Sequence, residues 1–392
     1  MKRRTLITLI LLIFASCAAL TGERAVASPM IGGGPQEKAK EKPTAKVTPK
    51  IAPKATVKPD VYVEPQVATP SPDQPSQVSV KLDRGGKVVV VNRIGETRIT
   101  GWDSDMIEAR AQGDEGPESV QVRVTGEGAR SRVVLSVPAN NTHRHSSEIS
   151  LEIKLPRYAD LESIESLRGD INITGLDGTV SVSTGQGALI IKNVGSLKAT
   201  TRNGEVTVTG VKGDAAIRSL NGDLSVDNVS GSVDLAATNG NIIARSTGGN
   251  IQVNSASGDI ELHCVKGNAT VNTASGAIMM VGVGGNIEAS TASGDVSFRG
   301  AMRAGGSYKL KSISGAVEMA VQPDPPGFTA TLITYSGEIE TDFPLSVNAP
   351  LTGPINRRIV GVYKDGQTQI TLDSFSGTVS IVKAMGVQTG CK

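Results

Sequence analysis

From Asn203 to Ala301 a turn signal returns every nine residues without a slip, and nothing else in the chain limits its fold so tightly. Asn203-Gly204, Lys212-Gly213, Asn221-Gly222 and Ser230-Gly231 open successive units, and the series continues to Ser293-Gly294. With the residue before Gly counted as position zero, position three runs Val206, Ala215, Leu224, Val233, Ile242 and on to Val296. Position five runs from Val208 to Phe298, and both columns are apolar throughout. Between them stand mostly polar or small residues such as Thr207, Ser225 and Asp234. That spacing puts alternate side chains on opposite faces of a half-buried strand. Nine residues are too few for a helix-and-turn repeat.

Alternate units end differently, in Asn228-Val229 or Cys264-Val265 on one side and Thr273-Ala274 or Thr291-Ala292 on the other. A true period of eighteen follows, with two strands and two corners per coil. The fold class predicted is all-β: a single-stranded β-solenoid with irregular β caps at both ends. Coils stacked at about 4.8 Å make the repeated part a rod of roughly 26 Å. The Gly of every corner is expected to supply positive φ, with Gly204, Gly222, Gly240, Gly258, Gly276 and Gly294 as the structural turn residues. The interior is expected to be hydrocarbon. At position two, Asn250, Asn268 and Asn286 fall in one column and are expected to form an amide ladder.

Outside the repeat, Lys2, Arg3 and Arg4 precede an apolar run from Leu6 to Leu20, and Ala25-Val26-Ala27 is a small-x-small cleavage site. Residues 1–27 therefore read as an export signal, and no later segment has the roughly 20 apolar residues of a membrane span. Phe14-Ala15-Ser16-Cys17 is similar to a lipoprotein cleavage box with Phe14 where Leu is usual, so a lipid anchor at Cys17 stands as the rival to free export. Either reading places the mature chain outside the cytoplasm: periplasm, outer surface or medium. Residues 28–77, where Pro alternates with Lys, read as an unstructured linker or a tether to an anionic surface. Residues 78–383 read as one β domain: strands and a cap over 78–160, regular repeats over 168–301, a second cap over 302–383, then a tail at 384–392. A net charge of +2 makes no case for nucleic acid.

The phrases Thr273-Ala274-Ser275-Gly276 and Thr291-Ala292-Ser293-Gly294-Asp295-Val296 resemble the bacterial "putative-adhesin" family of β-strand-repeat proteins, a domain of unknown function. So do Leu151-Glu152-Ile153-Lys154-Leu155-Pro156 and the closing Ser376-Gly377-Thr378-Val379. The resemblance implies an exported cell-envelope β-solenoid with no established enzymatic activity and no catalytic residues to transfer.

Sites of chemistry are few. Calcium-binding nonapeptide repeats need an Asp four residues after the first Gly, and here Leu262 after Gly258 fills that place. A polysaccharide-cleaving site needs clustered carboxylates with nearby cations, whereas Asp234, Glu261 and Glu288 stand apart in sequence. His143 and His145 lack a third metal ligand, and His263 faces outward beside Cys264. A Cys264–Cys391 bridge would need the tail to fold back. Trp102 reads as a core or cap residue. Ile243, Met279 and Val281 are apolar at outward positions and form a candidate contact patch. With aromatics at 3%, stacking platforms for sugars are expected to be scarce. The reading is a non-enzymatic adhesin or scaffold contacting an envelope protein or glycan through its strand faces, without cofactor or metal. A polysaccharide-active β-helix enzyme and an envelope-stress or assembly partner are the alternatives.

Overall fold

The structure, a computed structural model, describes residues 77–113, 116–118, 120–137, 148–347, 351–352 and 357–384. Among these there is no α-helix, and a single 3₁₀ turn lies at Gly128–Arg130. The export signal, nearly all of the linker, His143, His145 and residues 385–392 lie outside the described residues. Gln77, assigned by composition to the linker, instead opens the first strand, Gln77–Lys81, because its backbone pairs opposite Arg110.

Two parallel ladders are built from strands that meet their counterparts eighteen residues away. The short ladder contains the six-residue strands Val206–Val211, Leu224–Val229, Ile242–Thr247, Ile260–Val265 and Ile278–Val283. The long ladder contains the seven-residue strands Ala215–Asn221, Val233–Asn239, Ile251–Ser257, Ala269–Ser275 and Ile287–Ser293. Val226 thus sits opposite Ala244, and Val253 opposite Val271. Positions three and five point inward, as the alternation requires: Ile260 and Leu262 are fully buried. Each such side chain contributes about 1.5–3 kcal/mol by leaving water.

The corners correct one expectation. After each long strand the Gly does have positive φ, for example Gly258 at 121° and Gly276 at 136°. On the other side the left-handed residue is the last but one of the short strand: Gly210, Asn228, Ser246, Cys264 and Gly282, with φ between 56° and 75°. The Gly that follows, such as Gly267, is needed for room, since a Cβ there would come within 2.5 Å of the Gly249 carbonyl oxygen. Two corners of different geometry are what make the period eighteen.

Position two is corrected as well. Asn250 Oδ1 accepts the backbone N–H of Asn268 at 2.9 Å, and Asn268 Oδ1 that of Asn286 at 2.8 Å. These side chains clamp the next coil's backbone and do not bond amide to amide. On the short ladder Asp223, Asn241 and Asp259 do the same for Asn241, Asp259 and Ala277. The corner N–H has no ladder partner, so an oxygen one rung below satisfies it. An amide-to-amide ladder does form at position zero, where Asn221 donates to Asn203 and Asn239 to Asn221, both at 2.8 Å.

The interior is not purely hydrocarbon. One inward column of the long ladder reads Ser166, Thr184, Thr201, Ser219, Ala237, Ser255, Thr273, Thr291, Ser312, Ser374, Thr334, rung by rung. Toward the C-terminal end the hydroxyls donate to corner carbonyls, as Ser312 does to Gly294 at 2.8 Å. At the other end, the buried hydroxyls of Ser166, Thr184, Thr201 and Ser219 have no partner.

Both ends of the stack are interleaved. Lys87–Val91, the second strand in sequence, lies between Arg132–Ser136 and Asp160–Arg168. Thr97–Trp102 lies between Ile149–Pro156 and the start of Ile171–Gln186. At the other end Thr368–Ser376 inserts between Ser307–Ser314 and Phe328–Ser336, and Val379–Lys383 between Val317–Val321 and Ile339–Thr341. These strands are therefore paired along both edges. Antiparallel strands finish the ends: Met106–Gly113 and Gln121–Thr125 at one, Arg357–Tyr363 at the other. Covering a sheet edge in this way removes a template for aggregation. Trp102 belongs to the first of these ends. Its indole N–H donates to the Met106 carbonyl at 2.8 Å, and Lys154 Nζ lies 5.2 Å from the ring centre.

Candidate functional site

Positions two, four and six of each long strand face outward, so the stack displays three columns of side chains with a rung repeat of about 4.8 Å. The first two columns border an open groove of about 710 Å³ that runs across the strands. Its position-two wall carries Asp214, Ser232, Asn250 and Asn268; its position-four wall carries Lys198, Ala216, Asp234, Gln252 and Thr270. Ala216 leaves the position-four wall low at its rung. The clamp bonds occupy one oxygen each of Asp214, Asn250 and Asn268. Each keeps a second oxygen or an amide nitrogen outside the clamp bond, and all three residues line the groove. Asp234 has Arg218 at 3.8 Å, and Gln252 and Thr270 have no side-chain partner.

The candidate patch is only partly assembled. Met279 and Val281 neighbour each other on one strand, but Glu261 stands on the rung between Ile243 and Met279. His263 likewise separates Arg245 from Val281, and its Nε2 is 3.6 Å from a Glu261 carboxylate oxygen. The three single carboxylates are not brought together. Asp234 and Glu288 occupy the same column with Gln252 and Thr270 between them, about 14 Å apart at the rung spacing, while Glu261 is on the other ladder. Cleavage of a glycosidic bond needs a closer pair.

Carboxylates and cations do gather where the sequence did not point. Arg98, Glu108, Arg110, Glu152 and Lys154 line a second groove of about 320 Å³ on the N-terminal antiparallel face. Lys154 bonds Glu108 at 3.2 Å, and Arg98 bonds Glu96 at 2.8 Å. The Glu96 bond and its charge hold the Arg98 guanidinium above its ordinary pKa. Exposed pairs of this kind add little stability. Strand alternation places all these residues on polar faces. Their meeting depends on the interleaved order of strands, which has no local signal.

An aromatic surface was also hidden. Ile313, Phe375 and Tyr335 occupy three adjacent rungs at the position just before the turn, with 47%, 54% and 43% exposure. The Tyr335 and Phe375 rings stack at 4.7 Å, 7° from parallel. Cys264 is disulfide-bonded, and both other cysteines, Cys17 and Cys391, lie outside the described residues. Among the described residues no three His, Cys, Asp or Glu side chains are placed to share a metal ion. No helix there is long and apolar enough to cross a membrane.

Three solved structures are similar to this chain. A "putative adhesin" from Bacteroides fragilis NCTC 9343 is 12% identical over 78% of this chain and 95% of its own, with a TM-score of 0.30. A "putative cell adhesion protein" from Clostridium sporogenes ATCC 15579 is 11% identical over 79% and 100%, with a TM-score of 0.23. A "putative adhesin" from Parabacteroides distasonis ATCC 8503 is 9% identical over 79% and 96%, with a TM-score of 0.24. No curated protein sequence matches the chain. The family model described as Toastrack DUF4097 matches residues 99–272 and again 245–382, the span in which both ladders are built. The chain with the paired corners and stacked strands described above belongs to the Toastrack DUF4097 family.

Proposed function

We propose that this protein is an exported, non-enzymatic β-solenoid of the cell envelope that binds or scaffolds through its outward strand faces. The observation that carries this reading is the long polar face of the stack, laid over an interior filled by side chains. Residues 1–27 act as the export signal if the chain is released at Ala27, and the residues before Cys17 do so if it is anchored there; the Lys/Pro-rich segment that follows, up to the first strand, acts as a spacer. The Lys-rich spacer adds weak, salt-sensitive attraction to anionic surfaces.

The mature chain from Ser28 is expected to co-sediment with cell-envelope fragments, and to do so with the spacer deleted if the strand faces carry the contact. It is expected to release no reducing ends from a panel of polysaccharides. Failure to co-sediment, or turnover that disappears in Glu108→Gln or Glu152→Gln, would overturn this reading.

A further inference from the structure

We infer that the long-ladder groove binds an extended, uncharged glycan laid across the strands, parallel to the stacking direction. This rests on the proposal that the strand faces are the contact surface, and it names the ligand class that one face takes. The walls offer both donors and acceptors: the Asn250 and Asn268 amide nitrogens left over from the clamp bonds, the free Gln252 amide, the Thr270 hydroxyl and one oxygen of Asp214. Amides and carboxylates of this kind pair with the adjacent hydroxyls of a sugar ring, acting as donor and acceptor together.

Three other ligand classes fit less well. Strand backbones here are paired on both edges, so an extended peptide finds no free N–H or C=O to add to. Alternate side-chain pockets, which such a peptide also needs, are absent from a floor of strand backbone at Leu197, Ala215, Val233 and Ile251, whose side chains are buried. A polyanion finds no net positive charge to bind, because Asp214 and Asp234 offset Lys198 in the groove wall and Arg218, 3.8 Å from Asp234. The rung repeat of about 4.8 Å is close to the advance of one pyranose along an extended chain, so each sugar can meet an equivalent rung. From Thr179 to Asn268 the groove spans five such steps, about 24 Å, and affinity should build with chain length.

The test is affinity electrophoresis and titration of the mature chain with a panel of neutral glycans: mixed-linkage β-glucan, galactomannan and dextran. Polygalacturonate serves as the anionic comparison. Ala216→Trp puts bulk in the position-four wall of the groove, whereas Ala236→Trp places the same bulk on the same ladder in the position-six column, outside the groove. At least one neutral glycan is expected to bind, its hexasaccharide at least tenfold more tightly than its disaccharide. Ala216→Trp should weaken binding tenfold or more, Gln252→Ala with Thr270→Ala several-fold, and Ala236→Trp less than twofold. Binding to none of the neutral glycans, tighter binding to polygalacturonate, or equal loss in the two Trp variants would overturn the inference. Envelope co-sedimentation of the same variants separates the two levels. Persistence in Ala216→Trp defeats this groove alone, and absence in the unmodified chain defeats the reading beneath it.

Discussion

Replacing Thr184 and Thr201 by valine keeps shape and β-branching while removing two hydroxyls that are buried without a partner, on adjacent rungs of one column. A buried unpaired hydroxyl costs its desolvation, about 1–3 kcal/mol, and the methyl that replaces it costs none. Each substitution should therefore stabilise the fold by about 1–3 kcal/mol. Thr291, five rungs beyond Thr201 in the same column, is the matched contrast. Its hydroxyl lies 3.1 Å from the Gly276 carbonyl and 3.2 Å from that of Ser293. Thr291→Val should cost about 0.5–1.5 kcal/mol, the net worth of a hydrogen bond. Urea unfolding followed by far-ultraviolet circular dichroism reads both, with slopes compared to confirm that only the midpoint moves. The two single variants and the double are all needed, because neighbouring sites couple. Loss of stability at Thr184 and Thr201 as well as at Thr291 would show that the N-terminal hydroxyls are satisfied after all and refute the reasoning.

Asn268→Leu should cost about 0.5–1.5 kcal/mol, since the Asn286 N–H loses its acceptor, and amide exchange at Asn286 should accelerate; unchanged exchange would exclude the clamp. Gly258→Ala sets a side chain at φ 121° with its Cβ 2.1 Å from the Gly240 carbonyl oxygen, so a loss above about 2 kcal/mol is expected in the same unfolding assay. Burial raises the pKa of Tyr308 above its ordinary value of 10.0. Its neutral form thus supports the fold fully below the unfolded-state pKa, and that support declines as pH climbs past about 10. Tyr308→Phe should flatten the alkaline loss while costing some stability at neutral pH, because the Arg303 N–H then loses its acceptor at 2.8 Å. Deleting Thr368–Lys383 bares edges on both neighbouring coils at once and should give an aggregating protein by size-exclusion chromatography.

The strands themselves were legible because their signal is local. Alternation at positions three and five says which side chains leave water, and Ile260 and Leu262 are buried accordingly. Corner glycines at fixed spacing say where the chain turns, and the eighteen-residue pairing register follows from the alternating unit ends. Even irregular strands such as Lys87–Val91 and Arg132–Ser136 could be read from their composition.

What tertiary structure decided is which rung lies on which. Repeats of like composition can stack in many orders with similar local energy, so the insertion of Thr368–Ser376 between two earlier strands leaves no trace in sequence. That order alone brings Phe375 onto Tyr335 and gathers Arg98, Glu108 and Glu152 on one face. The same holds for position two: Asn250 and Asn268 invite an amide ladder on paper. In the fold the unpaired corner N–H one rung away is the nearer donor, and it takes the oxygen. Period and burial are properties of a single strand, whereas partner identity belongs to the stack.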